Sequence, residues 1–146
     1  MLTIFTPATT IPGHFIEKRN TMDKEIRARL IQLARSKTTC TYSRLNEQLQ
    51  LRLNFKYASD RKLLGQWLDE VSTHEFDRKR PILSSLIINQ GTEREQGIGF
   101  YKLCEILYGK SWRKFKLNKN LVIEIMNECY LFWEDDENYR KYKFDH

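Results

Sequence analysis

The chain has 146 residues, 40% of them apolar and 30% charged, the composition of one globular domain long enough to bury a core without disulfides or metals. No stretch approaches the roughly eighteen uncharged apolar residues of a membrane span; the longest apolar run, Leu83 to Ile88, contains Ser84 and Ser85, so no membrane association is expected. The excess of 25 basic over 19 acidic residues, +6, directs attention to partners that carry phosphate.

Residues 1–21 contain Pro7, Pro12, Gly13 and several threonines without a helical period and read as an extended or disordered arm. They have neither a basic leader nor a small-residue cleavage site, so no secretory signal is expected and a cytoplasmic location is the default. Asp23 then caps a first helix whose Ile26, Leu30, Ile31, Leu33 and Ala34 share one face. Ser43 caps a short second helix to Gln50, with Leu45 and Leu49 four apart. Leu51 to Tyr57 alternates apolar and polar residues, a pattern of either a strand or a loop packed by its aromatics. Ser59 or Asp60 opens a third helix to about His74, with Leu63, Leu64, Trp67, Leu68 and Val71 on its apolar side and Gly65 inside it.

Pro81 bars helix continuation, and Ile82 to Asn89 reads as a strand buried on both faces. Gly97 and Gly99 mark a tight turn or a backbone approached closely by another group. Phe100, Leu103, Cys104, Leu107 and Tyr108 are spaced as a helix that Gly109 stops. A last helix runs from about Asn118 or Asn120 to Trp133. Cys40, Cys104 and Cys129, odd in number and widely spaced, fit reduced, buried thiols.

The charge is unevenly placed. The last sixteen residues hold five acids and three bases, which leaves the preceding 130 with a surplus of eight. That surplus pools in Arg78, Lys79 and Arg80 and in Lys110 to Lys119, where Trp112 and Phe115 stand among Lys110, Arg113, Lys114 and Lys116. Such segments raise phosphate affinity, although a solvated basic face has the same composition. The remaining tryptophans, Trp67 and Trp133, lie in helical register with Leu and Ile and belong to the core.

Thr73-His74-Glu75-Phe76-Asp77 is the one stretch with catalytic residue types, since a histidine between carboxylates can serve as a general base or metal ligand. A polar helix end has the same residues. Neither a phosphate-cradling loop nor a nucleophile turn is present, and no metal or other cofactor is expected.

The order helix, short strand, helix, helix, strand and glycine-containing return is that of a winged helix-turn-helix. Thr41-Tyr42-Ser43-x-Leu45, Arg61-x-x-Leu64-Gly65-x-x-Leu68, Pro81-Ile82-x-Ser84-Ser85-x-Ile87-Ile88 and Gly97-x-Gly99-Phe100-Tyr101 together resemble the winged-helix domain of the O6-alkylguanine DNA alkyltransferase family and its alkyltransferase-like relatives. That resemblance spans about residues 38–108 and implies a DNA-facing winged helix. It implies no alkyl transfer, because Ser84 and Ser85 stand where the family has its reactive cysteine. Arg80-Pro81-x-Leu83-Ser84-Ser85-Leu86 with Gly97-x-Gly99-Phe100-Tyr101-x-Leu103 is also similar to a small bacterial and phage family of unassigned activity.

The expectation is therefore a mainly α, winged-helix-like domain over residues 22–133 with a small β-hairpin and an added C-terminal helix, preceded by the arm 1–21 and followed by a charged tail 134–146. A non-enzymatic DNA-binding role is expected, with Arg61 and Lys62 on the recognition helix and Arg78, Lys79, Arg80, Lys110, Trp112, Arg113, Lys114 and Lys116 at phosphates. The rival is a protein-interaction module with a protein partner or a second copy, motivated by Gln66, Asp69 and Glu70 on the polar side of that helix. A nucleic-acid enzyme built on His74, Glu75 and Asp77 is the third class.

Overall fold

The computed structural model describes residues 13–91 and 93–146, with side chains from Met22 onward. The periodic segments all become helices: α1 (Gly13–Arg35), α2 (Tyr42–Gln48), α3 (Ala58–Asp77), α4 (Ile98–Tyr108) and α6 (Lys119–Glu134), joined by the short α5 (Trp112–Leu117) and α7 (Asp136–Tyr142). The fold is mainly helical with one small β element, as expected.

Helix α1 starts at Gly13, ten residues before the expected cap at Asp23. Residues 13–21 lack an apolar period, yet Glu17, Lys18 and Arg19 are good helix formers, and lengthening an existing helix needs no new nucleus. The rest of the expected arm, residues 1–12, lies outside the described residues.

The β element is not a hairpin. Strand β1 (Cys40–Thr41) pairs with β2 (Ile87–Ile88) in parallel, Cys40 opposite Ile87 and Thr41 opposite Ile88. Half of the expected strand, Leu83–Leu86, is instead a 3-10 turn. Every residue from Ile82 to Ile88 is buried, as expected, but among the described residues no return strand forms a wing. Asn89 N–H donates to the Glu95 carbonyl at 2.6 Å and Gln96 Nε2 to the Ser85 carbonyl at 2.8 Å, linking the two limbs before the helical spacing of Phe100, Leu103, Cys104 and Leu107 takes the chain into α4.

The Leu83–Leu86 turn sits in the core between α1, α3 and α6, with Trp133 fully buried beside it. A second cluster joins Ile82, Phe100, Cys104, Phe115, Val122 and Ile125. Ser84 and Ser85 serve as fasteners. The Ser72 hydroxyl donates to Ser84 Oγ at 2.6 Å and accepts from Ser84 N–H at 3.0 Å. Ser85 donates to the Ile82 carbonyl, and its own carbonyl accepts from Gln96 Nε2 at 2.8 Å. All three cysteines are buried and free; burial pushes the Cys104 and Cys129 thiols up to about 12, so they pack as inert apolar groups.

Candidate functional site

Three polar regions are arranged along α3, whose twenty residues make it about 30 Å long. At its C-terminal end Glu75 is fully buried between Arg27 of α1 and Arg80. Arg27 Nε donates to Glu75 Oε2 and Arg80 Nε to Oε1, both at 2.8 Å, and each guanidinium makes a second bond to the same carboxylate. Two cations require two anions, and the second comes from the end of the chain: Arg80 Nη1 donates to Asp145 Oδ2 at 2.7 Å. The Arg80 bond and charge hold the exposed Asp145 carboxyl below its ordinary range. Arg27 also donates to the Tyr142 and Lys143 carbonyls at 2.9 Å. The charged tail is therefore fastened to the body by the pair it helps to neutralise.

Two consequences correct the sequence expectations. Arg80, expected at a phosphate, is buried with its donors committed. The His74, Glu75 and Asp77 side chains go to different surroundings: Glu75 is sealed, the His74 ring nitrogen lies 2.7 Å from the Asp145 carbonyl, and Asp77 is exposed at the helix end.

Just outside this network lies a basic surface. Phe76 packs edge-on against Tyr108 with ring centroids 5.4 Å apart, and Tyr108 meets Phe115 at 5.7 Å. This aromatic chain brings the end of α3, with Arg78 and Lys79, together with α5. Arg78 leans toward Asp145, Nε to Oδ2 3.8 Å, while Lys79, Lys110, Arg113, Lys114 and Lys116 are exposed. Trp112 is half-buried, with the Arg113 guanidinium 4.6 Å over its ring. Its amide donates to Glu105 at 2.9 Å, which fixes the start of α5. Lys79 ends α3 with a φ of 60°, a conformation usually left to glycine.

The N-terminal half of α3 faces an open cleft of about 1120 Å³, closed on its other sides by the start of α2, the end of β2 and the first turns of α4. Phe55, Leu64, Phe100 and Leu103 line it together with Tyr42, Asp69, Lys62 and Lys102. Tyr42 anchors α4, its hydroxyl accepting from Gly97 N–H at 2.8 Å. A Cβ at Gly97 would lie 2.8 Å from that oxygen, which is the close backbone approach expected of the Gly97-x-Gly99 pair. Burial, and secondarily Glu70, lifts the Asp69 carboxyl to about 6. Burial also raises the Tyr42 phenol.

Arg61 and Lys62 thus lie far from Arg78 and Lys79, because sixteen residues from Lys62 to Arg78 span about 24 Å of helix. Arg61, exposed at the surface, also donates from its guanidinium to the Phe55 carbonyl. Sequence reasoning did not single out Arg27 or Lys102 and placed Asp69 on the polar side of α3 without a cleft; Gly65 inside a helical pattern and the Gly97-x-Gly99 turn were the signals near it. Among the described residues no group of three His, Cys, Asp or Glu side chains is placed to hold a metal, and no helix is long and apolar enough to cross a membrane. No protein family, curated protein or solved structure was found to match this chain.

Proposed function

We propose that this chain is a nucleic-acid-binding module that contacts the phosphates of DNA through Lys79, Lys110, Arg113, Lys114 and Lys116. The observation that carries this reading is the Phe76, Tyr108, Phe115 chain, which gathers two sequence-distant basic segments at one end of the molecule. None of these five cations forms an ion pair among the described residues. Trp112, half-exposed under Arg113, offers a stacking surface to an unpaired base.

Fluorescence anisotropy with a labelled duplex and a labelled single strand tests this. Binding at low salt that weakens linearly in log [salt] is expected. Absence of binding at low salt, or affinity indifferent to salt, contradicts it.

A second reading rests on a separate observation. Leu117 is 82% exposed, Leu131 66% and Ile123 48%, and Ile123 and Leu131, eight residues apart, share the outer face of α6. A protein partner or a second copy would cover that face, and sedimentation equilibrium reads self-association directly.

A further inference from the structure

We infer that the cleft between the N-terminal halves of α3 and α4 binds a planar aromatic anion, with its ring system against Gly65 and Gly99 and its charge facing Lys62 and Lys102. This stands apart from the DNA reading, whose residues lie at the opposite end of α3.

The glycines carry the argument. Glycine is the poorest helix former after proline, and a fold keeps one where a positive φ or a close contact demands it. Gly65 and Gly99 meet neither condition. Neither has a positive φ, and a Cβ built on either finds nothing within 4 Å. Both line the cleft. Their effect is to strip side chains from two facing walls, so that a flat ring can lie against bare backbone, with Leu64, Phe100 and Leu103 supplying apolar contact.

The charge of the occupant follows from the mouth. Lys62 and Lys102 are exposed, line the cleft and form no ion pair among the described residues. Gly97, Ile98 and Gly99 line the cleft, so the N-terminus of α4, with the positive end of its dipole, borders it. Asp69, whose carboxyl burial raises to about 6, opposes this potential once ionised, and Lys62 and Lys102 outnumber it. It supplies a donor or acceptor for a ring nitrogen or exocyclic amine. The volume, about 1120 Å³, accommodates a ligand as large as a mononucleotide.

The test uses the full chain and anilinonaphthalene sulfonate, an aromatic anion whose fluorescence rises in apolar sites. Saturable binding is expected. Gly65→Trp, which places an indole on the wall where the ring is proposed to lie, should abolish it. Lys62→Gln with Lys102→Gln, which leaves the core untouched and keeps the test valid if the tryptophan variant misfolds, should weaken it by about tenfold, ~1.4 kcal/mol. Unchanged affinity in a folded variant of either kind overturns the proposal. Displacement by adenosine monophosphate assigns the anion to the nucleotides, and displacement by indole acetate alone assigns it to aromatic carboxylates. Displacement by neither overturns the proposal.

Discussion

The two ends of α3 treat their polar groups in opposite ways. At the C-terminal end Glu75, Arg27, Arg80 and Asp145 form a closed set in which two guanidiniums meet two carboxylates. Toward the N-terminal end Lys62 and Lys102 form no ion pair among the described residues and Asp69 is half-desolvated. A fully satisfied set stabilises and has nothing left to offer a ligand, whereas an unsatisfied set destabilises slightly and is open to one. Adjacent residues divide in the same way: Arg80 is spent inside the fold, and Lys79 projects from it.

The largest expected effect comes from opening the closed end. Glu75→Ala leaves two buried guanidiniums with Asp145 as their one carboxylate and should cost about 3–5 kcal/mol, visible as a large drop in urea midpoint. Asp145→Ala should cost distinctly less, since that carboxylate is half-exposed. Its folded-state pKa is depressed, so its contribution is present above the unfolded carboxylate value, near 4, and is lost as pH falls through the lower folded value. The wild-type and variant melting temperatures should therefore converge in strong acid, and a constant gap would show that the bond to Arg80 is not the source.

Asp69 has the opposite sign. Its folded-state pKa is raised to about 6, so its relative stabilisation is full below about 4 and is lost as pH rises through 6. Asp69→Asn should raise the melting temperature at pH 7.5 by about 2–4 °C, or ~1 kcal/mol, a figure already reduced for solvent screening of a half-exposed group. No gain is expected at pH 4. A gain at both values would mean that the ionised carboxylate is not what destabilises this end.

The smallest effect on stability separates it from function. Lys79→Gly relieves a left-handed backbone and should stabilise by up to about 1 kcal/mol, while weakening DNA binding. A variant that gains stability and keeps full affinity would remove Lys79 from the contact surface.

Much of the helical framework was legible because its signals are local. The face Ile26, Leu30, Ile31, Leu33, Ala34 and the stop at Gly109 are carried by neighbouring residues, and both appear as read. The parallel pairing of Cys40–Thr41 with Ile87–Ile88 was not, because a buried strand signal does not name its partner. The fate of Arg80 was hidden for the same reason: its three-residue basic run is uniform in sequence, and the residue lying inside is decided by Glu75 and by Asp145, 65 positions away. The acids at the chain end read as a charged tail, and one of them, Asp145, completes the charge balance around the buried Arg80. Asp69 was seen as an objection to DNA binding on that helix, and the structure places it in a cleft instead.

The most direct measurement of the central claim is the slope of log affinity against log [salt] for DNA, compared between two charge-removing variants. Replacing Lys79, Arg113 and Lys114 with glutamine should reduce the slope by about 2–3, near 0.9 per lost phosphate contact, while replacing Lys62 and Lys102 should leave it unchanged. An unchanged slope in the first variant, or an equal reduction in the second, would contradict the assignment of phosphate contacts to the C-terminal end of α3 and α5.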